Sequence, residues 1–533
     1  MFSNSTKPGQ LAQTLRQEIQ TGRLQPGQRL MSINDLSQVY KVSVRTVREA
    51  LALLEQDGYL ACCSRRRAVI LTGPPQPEET LIRATLIQRG VVQDAYQTLR
   101  SLLPILLWQS GRLMKEADFD QFYRLNKKMI RFKGDHSWIL SAQLFHGLLN
   151  YSGNPLFDDL YQNLEQACLL PVIPGYEHPY ETMARHPQSR DFSTLLQGLQ
   201  SQAPLAILSR IRRMIDRTQS HVEAYMQQLS GHFDLPMEPA GIFQWQTGPE
   251  LNQNSKSRQI ARSLIQAILS GELPPNSFLP AEKTMAEQYG VSVDTLRRAL
   301  RYLRQLQFIR TLNGKGSQIC DPDLNCFNPL ASPASKRNSL TYLCALQLLC
   351  LISFPAAASA GKQLDFQQRK ITAARIRQSP NPLGELIDWL AAAQTSSSMS
   401  VIVNQIFQFL YAGGPYLYHA RKLPAAGLSP AYHSDLEQVL TAMEQGQISE
   451  FAHAVYHSFQ RLLDSSLDYL IQQGVGEAKR LRLPDVLPRV FLEEESERPP
   501  TDRESHPDRL HPVPYGFPSA PVHQCFLPIG FFC

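Results

Sequence analysis

The sequence contains one segment twice, and this internal repeat restricts the possible folds more than any other feature. The stretch VSVRTVREAL (Val42–Leu51) returns as VSVDTLRRAL (Val291–Leu300), 249 residues further along. The match extends without a gap over Lys7–Ile70 and Lys256–Ile319, with roughly a third of the positions identical, which chance does not give over such a length. The sequence therefore predicts two copies of one domain.

Both copies have the same order of predicted elements. In copy one, Leu11, Leu15 and Ile19 lie one helical turn apart and indicate a first helix. Ser32 is expected to cap a second helix, and a third begins at Ser43, before two short strands. Two crossed helices followed by a strand hairpin are typical of DNA-binding domains, in which the start of the third helix enters the major groove.

The charge distribution favours the same interpretation. The chain of 533 residues carries a net charge of +6, whereas residues 7–72 alone carry +5 and residues 256–320 carry +6. The remainder of the chain is therefore about −5, and the basic character resides in the two repeats, as phosphate binding requires. A single basic helix could be an ordinary solvated face, but two gapless copies with the same turn, cap and wing argue against that alternative.

Several function classes find no support in the sequence. The nine cysteines form no CxxC pair and have no zinc spacing with histidines, which favours a reducing cytoplasm over a disulfide framework. No apolar signal core opens the chain. No catalytic constellation, phosphate-binding glycine loop or convergent metal-ligand set stands out, so we expect neither an enzyme nor a cofactor.

One apolar segment, Leu340–Ala360, is long enough to span a membrane. It contains several polar residues and Pro355, so we favour a buried helix that breaks at Pro355 and expect no membrane partner.

The two repeats resemble the GntR family of bacterial transcriptional regulators. Copy two is similar to the family's winged helix-turn-helix throughout GELPPNSFLPAEKTMAEQYGVSVDTLRRALRYLRQLQFIRTLNGKG, whereas copy one keeps the third helix and departs at MSIN, residues 31–34. Together with the residue chemistry, the resemblance implies double-stranded DNA as a partner. The predicted contact residues are Ser43, Arg45, Thr46, Arg48, Arg65, Arg66 and Arg67 in copy one, and Lys283, Ser292, Asp294, Thr295, Arg297, Asn313, Gly314 and Lys315 in copy two.

The two copies differ where they would recognise bases. Arg45 can donate to guanine, whereas the equivalent Asp294 could accept from cytosine or, as we favour, cap its helix or pair with Arg297 or Arg298. Asn34 replaces Lys283, and valine follows both helix-opening serines where the family often has arginine. We therefore expect the two copies to recognise different half-sites.

The regions after each copy are mostly helical in pattern. In the first, FHGLLNYSGNPL (residues 145–156) resembles the effector domain of the FadR-like branch, and Asn404–Leu423 is a weak second copy of it. The resemblance implies that many such effector domains hold a metal with an Asp, a His four residues later, and two further His. Here the first two positions are Ala142 and His146, with Asn404 and Gln408 as their predicted counterparts, so we expect no metal. His146 is predicted to lie in the core or to line an effector pocket.

The predicted fold is mainly α, with two winged helix-turn-helix domains (α with a small β wing), each followed by an all-helical effector-like domain. The predicted units are residues 1–72 and 256–321 for the DNA-binding domains, 73–234 and 322–483 for the helical domains, 235–255 for a linker, and 484–533 for a proline-rich disordered tail. The predicted function is a cytoplasmic transcriptional regulator, a tandem-duplicated pseudo-dimer that senses a small molecule; further homodimerisation stays open. The alternative is a helical interaction scaffold or membrane-linked sensor with degenerate heads.

Overall fold

The structure is a computed structural model of the chain, and its fold is mainly α with small antiparallel strand pairs, which confirms the predicted class. The described residues are 7–20, 24, 26–40, 42–61, 67–71, 78–131, 137–231, 242–245, 255–269, 272–320, 333–379, 382–410, 430–484, 487 and 490. The predicted tail, apart from residues 484, 487 and 490, lies outside them.

Head one, residues 7–71, is a winged helix-turn-helix. Its elements are α1 (Lys7–Gln20), α2 (Ile33–Val39), α3 (Val44–Gln56), β1 (Leu60–Ala61) and β2 (Val69–Ile70). The three helices enclose their own small core, in which Leu15, Leu36 and Val47 are buried. The predicted cap of α2 is confirmed, because the Ser32 hydroxyl accepts a hydrogen bond of 3.1 Å from the backbone N–H of Asp35.

Head two, residues 256–320, repeats this arrangement. Its elements are α12 (Lys256–Leu269), α13 (Glu282–Gln288), α14 (Val293–Gln305), β3 (Ile309–Leu312) and β4 (Gly316–Ile319). The backbone hydrogen bonds recur at the same spacing as the sequence repeat: Leu30 donates to Ala68 and Leu279 donates to Ser317, each over 2.9 Å. The repeated sequence therefore forms the same fold twice.

The helical part of the chain forms two halves. Half one contains α4 (Glu78–Ile87), α5 (Arg89–Gly111), α6 (Glu116–Arg131), α7 (Ser137–Asn150), α8 (Pro155–Cys168), α9 (Pro179–Ala184), α10 (Ser193–Gln200) and α11 (Pro204–Ser230). Half two contains α15 (Pro333–Gly361), α16 (Phe366–Gln378), α17 (Pro382–Ala392), α18 (Ser397–Leu410), α19 (Pro430–Gln445) and α20 (Ile448–Gln472).

The two halves have equivalent packing, which corrects one sequence correspondence. Helix α5 packs against α7, α8 and α11, and α15 packs against α17, α18 and α20. Helix α18 thus takes the place of α8, so Asn404 and Gln408, which lie in α18, are not the counterparts of Ala142 and His146 in α7. The predicted match failed because both helices present similar apolar patterns, which sequence alone could not assign to an order in space.

Helix α15 contains the apolar segment that suggested a membrane span. It is apolar and long enough to cross a membrane, but 94% of its most apolar window is buried inside the protein. The predicted buried helix is confirmed, whereas the predicted break at Pro355 is wrong: the helix continues to Gly361. A proline removes one backbone hydrogen bond, and burial of the side chains on both sides of it offsets that loss here.

Both halves share one continuous hydrophobic core, which runs from Ile82 in α4 to Leu487 after α20. The N-terminus of α8 contacts α15 of half two, and the N-terminus of α18 contacts α5 of half one. Asn154, at the start of α8, donates to the carbonyl of Cys344 over 2.8 Å. Asp94 of α5 accepts from the Ser397 hydroxyl and the Ser398 backbone N–H, over 2.8 and 2.6 Å, at the start of α18. Such an exchange of equivalent contacts is what a two-fold interface requires.

A short piece of the predicted linker also belongs to this core. Phe243 and Trp245 are buried, and the Trp245 indole N–H donates to the Asp159 carboxylate of α8 over 2.6 Å. The Trp245 ring packs edge-on against Phe409 of α18, with centroids 5.7 Å apart. Residues 242–245 therefore anchor the connection between half one and head two on both halves.

Candidate nucleic-acid interface and effector pocket

Both recognition helices, α3 and α14, begin with the same serine cap. The Ser43 hydroxyl accepts from the backbone N–H of Thr46 over 3.1 Å, and the Ser292 hydroxyl accepts from Thr295 over 3.3 Å. The threonine hydroxyls in turn contact the serine hydroxyls at 2.8 and 3.0 Å. The caps fix the N-terminal end of each helix, the end that a winged helix-turn-helix inserts into the major groove.

Head one exposes arginines along α3. Arg45 is exposed and forms an ion pair of 2.8 Å with Glu49, one turn further along the same helix. Arg48 is also exposed. On α2, Ile33 occupies the position that Glu282 occupies in head two. Thr46, by contrast, is buried, so its hydroxyl contributes to the cap instead of the surface.

In head two, two carboxylates contact Arg297, the counterpart of Arg48. Arg297 donates to Glu282 of α13 over 2.7 Å, and Asp294 lies 3.7 Å from the same guanidinium. The favoured pairing of Asp294 with Arg297 is therefore confirmed, while the cap of α14 is Ser292. The carboxylates of head two thus contact Arg297, whereas Glu49, the carboxylate on α3 of head one, pairs with Arg45. Lys283 is exposed at the start of α13.

The wing of head two is an ordered hairpin. Leu312 pairs with Gly316, and the tip residues Asn313, Gly314 and Lys315 between them are exposed. Gly314 and Gly316 have φ values of 72° and 97°, a backbone region that glycine adopts without strain. In head one, Arg67 is described and exposed, whereas Ser64, Arg65 and Arg66 lie outside the described residues.

Half one contains a cavity of about 180 Å³ between α5, α7, α8 and α11. Its apolar lining includes Leu99, Leu103, Phe145, Met214 and Ile215. Its charged lining residues are Glu165 from α8 and Arg210, Arg213 and Arg217 from α11. The sequence prediction missed these arginines, although their spacing of three and four residues places them on one helix face.

His146 lies behind this cavity and is not one of its lining residues. Its Nδ1 contacts Asp158 at 2.5 Å and its Nε2 contacts Glu165 at 3.2 Å. Burial alone would lower the pKa of His146, but the hydrogen bonds to these two carboxylates raise it to about 9. His146 is therefore protonated at neutral pH, and its single positive charge lies between the carboxylates of Asp158 and Glu165. No group of three or more His, Cys, Asp or Glu residues that could hold a metal occurs in the described part of the chain.

Comparisons with known proteins match the two heads. Residues 8–70 and 256–319 each match the model of the bacterial regulatory proteins, gntR family. The heads are thus gntR-type winged helix-turn-helix domains, the class of DNA-binding domain found in transcriptional regulators.

Curated relatives match over short segments. An uncharacterized HTH-type transcriptional regulator of Mycobacterium tuberculosis is 39% identical over 88 residues, which is 16% of this chain and 34% of that protein. The mannosyl-D-glycerate transport/metabolism system repressor MngR of Escherichia coli is 37% identical over 68 residues, 13% of this chain and 28% of that protein. The chain spans about a third of the length of these relatives.

Among solved structures, Streptococcus agalactiae GntR aligns with 39% of this chain and 99% of its own, at 17% identity and a TM-score of 0.19. Escherichia coli McbR/YncC aligns with 42% of this chain and 99% of its own, at 17% identity and a TM-score of 0.22.

Proposed function

We propose that the chain is a sequence-specific DNA-binding transcriptional regulator in which both heads of one polypeptide contact a single asymmetric site. The observation that carries this proposal is the repeated recognition helix, which is capped by serine in the same way in both heads and bears exposed basic residues. The boundaries predicted for the heads, residues 1–72 and 256–321, are part of the proposal.

The two heads would contribute differently to binding. In head one, Arg45 and Arg48 would contact bases or phosphates from α3, and Arg65, Arg66 and Arg67 would contact the backbone or a narrow minor groove. In head two, the contacts would come from the start of α14, from Lys283 on α13, and from the wing tip. The residues at the start of α14 are Ser292, Asp294, Thr295 and Arg297, and those of the wing tip are Asn313, Gly314 and Lys315.

The shared core of the two halves supports a pseudo-dimer built by duplication. A single-headed regulator needs two chains on a two-part site, whereas two covalently linked heads meet the second half-site at high effective concentration. Because the Asp94 and Asn154 contacts join the halves, a ligand in the body could change the distance or angle between the heads. The cavity of half one would be the effector site, in a cytoplasmic regulator.

The test is a selection of binding sites from random duplex DNA by the full-length protein at moderate salt. Two different half-sites at a fixed spacing, bound by one chain as measured by light scattering of the complex, would support the proposal. A palindrome bound by two chains would instead favour homodimers in which one head recognises DNA. Absence of any enriched sequence would reject DNA recognition.

A second function, protein interaction through the helical body, is favoured by α16. Phe366 and Ile371 on this helix are 64% and 62% exposed, which is high for large apolar side chains. A concentration-dependent molar mass in light scattering, abolished by Ile371→Ser, would identify this face as a contact between chains.

A further inference from the structure

The cavity of half one combines an apolar interior with cations at its edge. Leu99, Leu103, Phe145 and Ile215 are buried, while Arg213 and Arg217 are exposed. The cavity thus has a wall that excludes water and an opening where charged side chains stay solvated. This arrangement suits a molecule with one apolar end and one polar end.

The lining carries a positive charge that its own carboxylates do not neutralise. Three arginines, Arg210, Arg213 and Arg217, line the cavity against one carboxylate, Glu165, which also contacts His146. Asp191 offsets part of the positive charge at Arg210, to which it offers its backbone carbonyl. Arg213 donates through Nε to the carbonyl of Ser209 one turn before it.

Arg217, the second cation at the opening, likewise contacts a neutral group. Arg217 lies 3.5 Å from the Ser189 hydroxyl. In the described part of the chain, the hydrogen-bond partners of Arg213 and Arg217 are thus a backbone carbonyl and a hydroxyl, and neither arginine forms an ion pair with a carboxylate. Two cations four residues apart on a helix are neighbours, and together they can hold one carboxylate or phosphate group.

The described residues of half two do not reproduce the arginines of this site. The turns before α11 and α20 fix the correspondence between the two helices. Gln202 and Gly446 both have a positive φ, 55° and 72°. The next residues, Ala203 and Gln447, each donate a backbone hydrogen bond to the carbonyl five residues earlier. With this register, the counterparts of Arg210, Arg213 and Arg217 are Ala454, His457 and Arg461.

The remaining cation of half two is already neutralised. Arg461 forms an ion pair of 2.9 Å with Asp435, which is itself buried. Asn154 and Ser396 each accept a backbone hydrogen bond from the first turn of the helix that follows, and they align α8 with α18. With this alignment, Glu165 and Tyr161 of α8 correspond to Phe407 and Val403, which are both buried. Two apolar residues thus stand where Tyr161 and Glu165 line the cavity in half one.

We propose that each chain binds one small organic anion, in half one only, with its charged group between Arg213 and Arg217 and its apolar body in the cavity. A cavity of similar size, about 150 Å³, holds a benzene ring, so the body is about six to eight carbon atoms. A carboxylate or a phosphate monoester has the required headgroup. This inference deepens the proposed function by giving the chemical class of the effector.

The experiment is isothermal titration of the full-length protein, without DNA, with sodium hexanoate and sodium benzoate. The neutral probes hexan-1-ol and benzyl alcohol have the same apolar bodies, and inorganic phosphate has the charge without the body. We expect one site per chain for the organic anions, with affinity at least about tenfold above that for the alcohols and for phosphate, because a charge-assisted contact is added to apolar burial. A titration with phenyl phosphate in place of benzoate distinguishes a preference for a phosphate headgroup from a preference for a carboxylate.

The matched variants are R213Q together with R217Q, and R124Q together with K128Q as the control. Arg124 and Lys128 are exposed cations on α6 outside the cavity lining, so their replacement removes the same two positive charges without touching the site. The double variant should weaken the organic anions by tenfold or more and leave the alcohols unchanged. Equal affinity for anions and alcohols, two sites per chain, or equal losses in the R124Q/K128Q control would each overturn the proposal.

Failure here is distinguishable from failure of the proposed function. DNA binding by the ligand-free protein is measured separately, and a regulator with no anion site would still select its operator. Conversely, anion binding to a chain that selects no DNA would leave this inference intact and reject only its regulatory role.

Discussion

The indole of Trp245 provides the sharpest test of how the chain is assembled. This residue is 4% exposed and contacts both halves, through Asp159 on one side and Phe409 on the other. Replacing it with alanine removes a large buried ring and leaves a cavity, which costs about 3–5 kcal/mol of folding free energy in protein cores. Replacing it with phenylalanine retains a ring but removes the hydrogen bond to a carboxylate, a loss of about 1.5–3 kcal/mol.

The measurement is equilibrium urea unfolding of the full-length protein, followed by far-ultraviolet circular dichroism. Ile242→Ala is the matched control, because Ile242 lies in the same short segment but is 67% exposed, and its replacement should change stability by less than about 0.5 kcal/mol. A loss below about 1 kcal/mol for Trp245→Ala, similar to the control, would refute the anchoring role, since a buried tryptophan cannot be removed so cheaply. Separate unfolding transitions for the two halves would contradict the shared core.

Three further outcomes follow from the contacts described above. Arg48→Ala should reduce DNA affinity and lower the slope of its salt dependence by about 1. Arg297→Ala should have a smaller effect, because Arg297 is already paired with carboxylates. Fluorescence anisotropy over a salt series measures both slopes, and equal effects of the two variants would contradict this prediction. Asp94→Ala should cost about 0.5–2 kcal/mol in urea unfolding, as loss of a helix cap does, since the Ser398 N–H loses its acceptor, whereas Asp94→Asn should cost less. The raised pKa of His146 stabilises the protein fully below the unfolded value of about 6.5, and this contribution is lost as pH rises through about 9. Melting temperatures from pH 6 to 10 should therefore fall more steeply in the wild type than in His146→Gln, and parallel curves would refute the assignment.

Local sequence rules predicted the heads well. The serine cap at position 32, the start of the recognition helices at Ser43 and Ser292, the apolar faces of the helices and the glycine turn of the second wing all follow from short-range chemistry, and each appears in the structure. That Ser43 and Ser292 also cap these helices was not predicted. The ion pair between Asp294 and Arg297 was equally local, since three residues separate its partners on one helix.

The helical body was predicted less well, because its features depend on residues far apart in the chain. Nothing local in the linker predicts that Trp245 meets Asp159 and Phe409. The buried helix α15 was recognised, but its continuation through Pro355 depends on neighbours that pack on both sides of the proline. The weak match between α7 and α18 failed because similar apolar patterns do not encode a position in space.

The sequence by itself determined that the chain holds two basic winged helix-turn-helix domains and that the two are not equivalent in charge. Those conclusions depend on repetition, helix periodicity and capping, which act over a few residues. Only the tertiary structure decided that the two helical halves share one core, that Glu282 on a different helix holds Arg297, and that Arg213 and Arg217 stand at the opening of an apolar cavity. Such arrangements arise when packing brings distant side chains together, and the spacing of residues along the chain does not record that distance.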